Sequence, residues 1–170
     1  MELTEPTMLY RDSYRSYVDE FKENNEDLVP FCIEFDNEPF EAFLERLRNL
    51  SNGIGVPEGF VAHSTFWLVD DENVVAVSNL RHQLTKSLKR EGGHIGYSVR
   101  PSMRKRGYGR IVLERTLKMA GKIGIQDVLI TCDRENTGSI GVILANGGVF
   151  DSDEYLPERN SVINRYWISI

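Results

Sequence analysis

The chain has 170 residues, of which 41% are hydrophobic and 27% charged, as is typical of one globular domain with its own core, and no apolar run is long enough to span a membrane. A net charge of −6 and few aromatic residues among the basic ones argue against nucleic-acid binding. Only two cysteines occur, Cys32 and Cys132, without partners nearby in sequence, so we expect a cytoplasmic protein with no disulfide framework, no metal site and no membrane anchor.

Hydrophobic spacing and turn residues predict alternating helices and strands. The predicted helices are 10–23, 39–50, 110–122 and 137–145, and the predicted strands are 63–69, 74–80, 94–100, 128–131 and 162–170. Residues 83–93 are expected to form a polar loop. The strand–helix–strand order in the middle requires a crossover between parallel strands, whereas an antiparallel meander precedes it. The expected fold is therefore an α/β domain with a mixed sheet and helices on both faces.

Charge is unevenly distributed along the chain. Residues 1–45 include 13 acidic and 3 basic residues, whereas residues 81–122 include 12 basic and 2 acidic ones. A basic centre beside an acidic N-terminal third favours a phosphorylated ligand at one surface and a cationic ligand at another. Scattered acidic side chains are equally typical of solvated helix faces.

The segment Arg104-Lys105-Arg106-Gly107-Tyr108-Gly109-Arg110 lies between a predicted strand and a predicted helix. Its four cations stand where the positive end of the helix dipole is expected, and each costs about 0.3–1 kcal/mol there. No acidic residue between Arg100 and Arg110 offsets them. Because glycine lets a backbone approach closely and the N–H groups of a helix start bind anions, the segment predicts a site for the pyrophosphate of a cofactor.

Gly107-x-Gly109 also matches the start of Gly-x-Gly-x-x-Gly, the motif of NAD(P)-binding oxidoreductases. Its third glycine would fall at Val112, and three cations are unusual in a loop whose backbone amides bind the phosphates. An acidic residue does follow the next strand, at Asp133, so this alternative stays open. The Walker phosphate-binding pattern is excluded because no Gly-Lys-Ser/Thr follows.

Arg104-x-x-Gly107-x-Gly109 resembles the acetyl-CoA signature of the GNAT acetyltransferases, (Gln/Arg)-x-x-Gly-x-(Gly/Ala). Residues 93–99 and Pro101 resemble the pantetheine-binding strand of that family, Asn136-x-x-Ser139 resembles its second block, and Gly147-Gly148 resembles the glycine that follows. The resemblance extends over residues 60–170, and over residues 1–50 only as two helices. It implies a single N-acetyltransferase domain over residues 1–170, with a helical acceptor side in 1–55 and, in 60–170, a splayed sheet with the acetyl-CoA site.

The resemblance also implies which residues bind the cofactor. Arg104 would open the loop, backbone N–H groups of the loop would hold the pyrophosphate, and a strand would pair with pantetheine through its backbone, leaving the thioester between Val99 and Thr131. Asn136 and Ser139 would contact the pantetheine arm, although Asn136 equally suits a helix cap. The expected cofactor-binding residues are Tyr97, Ser98, Val99, Arg104, Lys105, Arg106, Gly107, Tyr108, Gly109, Arg110, Asn136 and Ser139.

The residue that would act as general acid differs from that of the resembled family. Family members usually carry a tyrosine seven residues after the motif asparagine, which protonates the leaving thiolate, and here that position is Ile143. A thiol with a pKa of about 8.5 also leaves unprotonated, so activity does not require the tyrosine. Tyr155, Tyr166 and Tyr108 are alternative acids, of which Tyr155 is our candidate.

Candidate bases stand at the entry to the cofactor strand. His94 and Glu91 flank Gly93, near which some family members carry a catalytic carboxylate. His94 is suited to take a proton from an amine through water, and the alternative is a hydrogen-bonded histidine of the sheet. Cys132 would lie next to the thioester, where an acetyl-cysteine is conceivable, although most buried cysteines are inert.

The acceptor is expected on the acidic side of the chain, with Glu34 and Asp36 as candidate substrate-binding residues. They favour a cationic amine: a polyamine, an aminoglycoside, an amino acid or a peptide amine. The expected reaction is transfer of an acetyl group from acetyl-CoA to a primary amine by direct attack in a ternary complex. A non-catalytic acetyl-CoA-binding module is the alternative that Ile143 favours. Homodimers are common in the resembled family, so a homodimer is an open alternative to a monomer.

Overall fold

The computed structural model describes residues 1–31 and 38–170. In these residues the helices are α1 (Arg11–Glu23), α2 (Phe40–Ser51), α3 (Lys86–Arg90), α4 (Tyr108–Lys122) and α5 (Thr137–Ala145), with 3-10 turns at Met8–Tyr10 and Pro101–Met103. The strands are β1 (Glu2–Thr4), β2 (His63–Asp70), β3 (Asn73–Arg81), β4 (Ile95–Val99), β5 (Asp127–Asp133), β6 (Val149–Leu156) and β7 (Ser161–Ser169).

All predicted helices and strands are present, and three further elements are not foreseen by the sequence pattern. The segment expected as a polar loop contains α3. Thr85 caps the start of this helix, because its side chain accepts a hydrogen bond from the Leu88 N–H at 3.1 Å. β1 is only three residues long. β6 was not predicted because five of its eight residues are exposed and three are acidic, so its apolar side chains do not alternate clearly.

The strands form two antiparallel sheets, ordered β1-β2-β3-β4 and β5-β7-β6. They adjoin where His94, just before β4, meets Leu129 in β5: the His94 N–H donates to the Leu129 carbonyl at 2.7 Å. The crossover from β4 through α4 to β5 is present, but in the described residues these two strands share no ladder. The interrupted sheet is consistent with the splay that the resemblance implies.

Helices cover both faces of the first sheet. On one face, α1 and α2 enclose an aromatic cluster in which the ring of Tyr14 stacks on Trp67 of β2 at 4.3 Å. On the other face, α4 and α5 pack against residues of both sheets, including Leu80, Ile130 and Tyr166. α4 and α5 therefore fix the two sheets relative to one another, while α1 and α2 form a separate layer over β2 and β3.

Candidate active site

The predicted anion loop is exposed and ends at an uncapped helix start. Gly107 is the N-cap of α4, makes no side-chain cap hydrogen bond, and is followed by a first turn without an acidic residue. Lys105, Arg106 and Arg110 are exposed around it. The first N–H groups of α4 and three exposed cations thus lie together, as binding of a phosphate group requires.

The two glycines of the loop have different functions. Gly107 has a φ of +87°, and no atom lies within 4 Å of the position of an added Cβ, so the turn itself requires glycine. Gly109 is buried, and a Cβ there would lie 3.0 Å from Cγ2 of Val142 in α5 and 3.6 Å from Cγ2 of Val99 in β4. Gly109 therefore allows α4 to pack closely, whereas the sequence suggested that both glycines serve the approach to phosphate.

The Arg104 side chain is turned towards the N-terminal region. Its guanidinium pairs with both carboxylate oxygens of Glu26, at 2.8 and 2.5 Å, and lies 5.5 Å from the centre of the Phe21 ring. Its Nε also donates to the Val99 carbonyl at 3.2 Å. The hydrogen bond to Glu26 is the main cause that raises the pKa of Arg104. In this conformation the partly exposed Arg104 side chain links the N-terminal region, β4 and the loop.

β4 has one paired edge and one open edge. The Arg81 N–H donates to the His94 carbonyl at 2.7 Å and the Arg100 N–H to the Val75 carbonyl at 2.9 Å. In an antiparallel ladder alternate residues face the partner strand, so the backbone groups of Ser98 face β3 and those of Tyr97 and Val99 face away from it. Among the described residues, Tyr97 thus presents its backbone N–H and carbonyl to the gap beside β5, whereas Val99 presents its N–H while its carbonyl accepts from Arg104.

A small polar cluster bridges this gap. The Tyr97 hydroxyl lies 2.9 Å from the Ser139 hydroxyl, and Asn136 caps α5 by accepting from the Ser139 N–H at 2.9 Å. Burial raises the pKa of Tyr97 to about 12 and that of Cys132 to about 11, so both groups are protonated at neutral pH. An acetyl-cysteine at Cys132 is therefore disfavoured, because the thiolate is the nucleophile. The sequence assigned only the backbone of Tyr97; its hydroxyl contact joins residues 42 positions apart and has no local signal.

His94 is a structural link between the two sheets. Its backbone N–H bonds to Leu129, and its Nδ1 accepts from the Leu129 N–H at 2.9 Å. Nδ1 therefore carries the lone pair of the neutral ring, and burial lowers the pKa of His94. With its lone pair occupied, His94 has no free atom for an amine proton, so this geometry favours the sheet histidine over the base.

The carboxylate position of some family members cannot be filled here without moving β5. A Cβ on Gly93 would lie 2.4 Å from the Leu129 carbonyl oxygen, and the φ of Gly93 is +58°. Glu91 ion-pairs with Arg159 in the turn between β6 and β7. In the same turn, Asn160 accepts a hydrogen bond from the exposed Tyr155 hydroxyl at 2.8 Å.

The structure therefore does not unite the three candidate catalytic residues. Among the residues it describes, no hydrogen bond or ion pair connects Glu91, His94 and Tyr155 to one another. Tyr108 donates to Asp70 at 2.6 Å and the buried Tyr166 hydroxyl accepts from Asn164 at 3.1 Å, so neither hydroxyl is free. The candidate substrate-binding residues Glu34 and Asp36 lie outside the described residues.

The described residues were also compared with the requirements of a metal site and of a membrane-spanning helix. Within residues 1–31 and 38–170, no three His, Cys, Asp or Glu side chains gather as metal ligands would. In the same part of the chain, no helix has the length and hydropathy needed to cross a membrane.

Comparisons with known proteins agree with this geometry. The profile of the Acetyltransferase (GNAT) family matches residues 7–147. No curated protein sequence matches the chain significantly. The matched region includes α1 and α2 as well as the cofactor loop, so it extends the resemblance beyond residues 60–170 towards the N-terminus.

Three solved acetyltransferases are similar over 99% of this chain at 16% identity. They are a mutant of the spermidine N-acetyltransferase SpeG from Vibrio cholerae (TM-score 0.62, 95% of its chain), the microcin C7 self-immunity acetyltransferase MccE in complex with acetyl-CoA and AMP (0.69, 91%), and a Salmonella typhimurium enzyme that modifies the N-terminal serine of ribosomal protein L7/L12 (0.68, 94%). At this identity the likeness establishes the fold, and the expected fold class is confirmed. Since the family profile covers most of the chain, from before α1 to the end of α5, the protein belongs to the GNAT family of acetyltransferases.

Proposed function

We propose that this enzyme transfers the acetyl group of acetyl-CoA to a primary amine of a small molecule or peptide. The main support is the uncapped, cation-bearing start of α4 beside the open edge of β4. A pyrophosphate fits the first feature, because helix N–H groups and cations bind anions. The amides of a pantetheine arm fit the second, because an extended ligand pairs with a free strand edge.

The proposed reaction is direct attack of a neutral amine on the thioester. A C–N bond forms, the C–S bond breaks, the amine nitrogen gives its proton to solvent water and the coenzyme leaves as the thiolate. Val99, whose backbone N–H faces the gap, would donate to the carbonyl oxygen as negative charge develops there. Tyr97 is a suitable hydrogen-bond donor, but its pKa of about 12 makes it a weak acid for a thiolate whose conjugate thiol has a pKa near 8.5.

The first experiment is thermal unfolding with acetyl-CoA, coenzyme A and NAD(P)H in parallel. A ligand at about 100 times its dissociation constant adds about 2.7 kcal/mol to the free energy of unfolding. We expect stabilisation by the two coenzyme A forms and none by NAD(P)H. Stabilisation by NAD(P)H alone would return the loop to the oxidoreductase alternative and end the acetyl-transfer proposal.

An amine panel then tests catalysis. Polyamines, aminoglycosides, amino acids and short peptides are offered with acetyl-CoA, and free thiol is measured as the product. The choice of acceptors is supported by the structural neighbours, which include a spermidine acetyltransferase and an enzyme that modifies an N-terminal serine. Release of thiol that depends on both amine and enzyme is the expected result.

A non-catalytic acetyl-CoA-binding module is the second candidate, and Ile143 is the observation that favours it. Its side chain is fully buried in the core between α5 and the sheets, so it presents no group to the cofactor gap. This candidate predicts stabilisation by acetyl-CoA with no thiol release on any member of the panel. Turnover of one amine would exclude it.

We also propose a homodimer formed through the edge of the second sheet. Val149 and Phe150 are large exposed hydrophobic residues on β6, an outer strand of that sheet, and exposed edges of this kind pair readily with another chain. Light scattering after gel filtration measures the mass directly. A monomer at concentrations of about 100 µM, which exceed a typical micromolar dissociation constant, would exclude the dimer.

A further inference from the structure

Two carboxylates stand beside the loop that is expected to bind a pyrophosphate. Glu26 pairs with Arg104 through both of its oxygens, at 2.8 and 2.5 Å. Glu20 accepts from the Ser102 backbone N–H at 2.5 Å and lies 3.8 Å from Nε of Arg100. By their charge alone, carboxylates at these positions would weaken the binding of an anion. Their presence beside the loop therefore requires another explanation.

The two carboxylates complete a series of contacts between the N-terminal region and every second residue from position 98 to position 104. The Tyr17 hydroxyl of α1 lies 2.8 Å from the Ser98 hydroxyl of β4. Two residues later, the buried Arg100 donates to the Ser13 carbonyl of α1 at 2.7 Å. The two carboxylate contacts follow at positions 102 and 104. The end of β4 and the turn after it are thus fastened to the N-terminal region as far as the first residue of the loop.

The loop itself has few contacts of its own that fix its shape. Lys105 and Arg106 are exposed, and within the described part of the chain their side chains take part in no hydrogen bond or ion pair. Lys105 has a φ of +61°, a conformation that a residue other than glycine keeps only where the surroundings hold it. The loop is held at its two ends, where Arg104 pairs with Glu26 and the Tyr108 hydroxyl donates to Asp70 at 2.6 Å.

Glu26 is itself held in place. Its backbone N–H donates to the Phe21 carbonyl in α1 at 3.0 Å, and Leu28 packs against the aromatic cluster beneath α1 and α2. Further along the same segment, Cβ of Pro30 lies 3.3 Å from the position of a Cβ added to Gly96 in β4. The segment that carries Glu26 is therefore packed against both the helical layer and the cofactor strand, and gives the carboxylate a fixed position.

The guanidinium of Arg104 is bound by the protein on all of its nitrogen atoms. Both terminal nitrogens bond to Glu26, and Nε bonds to the Val99 carbonyl at 3.2 Å. A pair with two parallel hydrogen bonds fixes the orientation of both side chains. The cation at the opening of the predicted pyrophosphate loop thus has a carboxylate as its partner, and this partner determines where the loop begins.

We infer that Glu26, acting through Arg104, is a positioning residue for the cofactor loop, and that Glu20 holds the preceding turn in the same way. Glu26 strengthens acetyl-CoA binding although its charge opposes it. The gain comes from preorganisation, because a loop that is already held in place loses less conformational freedom when a ligand binds. This inference rests on the acetyl-CoA site of the function proposed above and adds residues of the N-terminal region to it.

The test measures the Kd of acetyl-CoA by calorimetric titration of the wild type, Glu26→Gln and Glu23→Gln. We expect Glu26→Gln to raise the Kd about fivefold, which corresponds to about 1 kcal/mol. Glu23 is exposed at the end of α1 and has no ion pair among the described residues, so Glu23→Gln removes the same charge without releasing the loop. It is expected to leave the Kd unchanged or to lower it. A Kd that is not raised by Glu26→Gln, or is raised equally by both variants, would overturn the inference.

A double-mutant cycle tests whether Glu26 acts through Arg104. In an Arg104→Ala background the pair is already lost, so Glu26→Gln removes only a repulsive charge and is expected to lower the Kd. The same substitution therefore changes the affinity in opposite directions in the two backgrounds. An increase in Kd of the same size in both backgrounds would mean that Glu26 does not act through Arg104, and would overturn the inference.

Thermal unfolding separates positioning of the loop from a contribution to general stability. The side chains of Arg104 and Glu26 are 41% and 36% exposed, and exposed ion pairs add little to stability. We expect the midpoint of Glu26→Gln to lie within about 2 °C of that of the wild type. A larger fall that accompanies the weaker binding would make Glu26 a residue of general stability and overturn its positioning role.

Failure of the proposed function has a different result. If the wild type binds neither acetyl-CoA nor coenzyme A, the proposed function and this inference both fail. If the wild type binds acetyl-CoA and Glu26→Gln binds it equally well, the acetyl-CoA site stands and only the positioning role of Glu26 is overturned.

Discussion

Replacement of Gly93 by alanine should separate the two sheets at the point where they adjoin. The new Cβ would lie 2.4 Å from the Leu129 carbonyl oxygen and 3.2 Å from Ile130 Cα, and these are backbone atoms that cannot rotate away. β5 must therefore shift, which breaks the two hydrogen bonds between His94 and Leu129. Each buried group left unpaired costs about 1–3 kcal/mol, and an alanine at positive φ costs about 1–2 kcal/mol. We expect a loss of at least about 3 kcal/mol from a typical total of about 5–15 kcal/mol.

Urea unfolding measures this loss, with Gly124→Ala as the matched control. Gly124 has a φ of +85° and nothing within 4 Å of an added Cβ, so its alanine variant bears the backbone strain without the collision. The difference between the two variants isolates the contact with β5. If Gly93→Ala were within about 0.5 kcal/mol of Gly124→Ala, a variation typical of surface substitutions, the reasoning about the sheet junction would be refuted.

Three further predictions concern the cofactor side. Arg106→Ala should weaken acetyl-CoA binding about fivefold to tenfold at low salt and less at high salt, which calorimetry measures. Urea unfolding should show a slightly more stable free protein, because the substitution removes a cation from a helix start. Lys122→Ala, at the other end of α4, should leave the affinity for acetyl-CoA unchanged. Asn136→Ala should cost about 1 kcal/mol of stability by removing the cap of α5, whereas Asn136→Asp should retain it, and equal stability of the two would contradict the cap. In a Cys32→Ser background, Cys132 should react with iodoacetamide about 100-fold more slowly in the folded than in the unfolded protein at pH 8, because burial raises its pKa to about 11 from 9.0; equal rates would mean that the thiol is not shielded.

The sequence by itself determined most of the helices and strands and the position of the cofactor loop. Helices such as α1 and α2 follow from the spacing of apolar side chains over three or four residues, and the start of α4 follows from glycines and cations within seven consecutive residues. Such signals are readable because the interactions that produce them are short in sequence. The family could be identified for the same reason, since its signature is a contiguous backbone turn with an ordered set of flanking elements.

Only the tertiary structure decided which partner each polar side chain has. Arg104 faces Glu26, 78 positions away, and the lone pair of His94 is used by Leu129, 35 positions away. Neither pairing has a local pattern, and therefore the sequence left His94 open as a base or as a hydrogen-bonded histidine of the sheet. Local periodicity determines which face a side chain takes, but contacts between distant strands determine whether its hydrogen-bonding groups are satisfied or left available to a ligand.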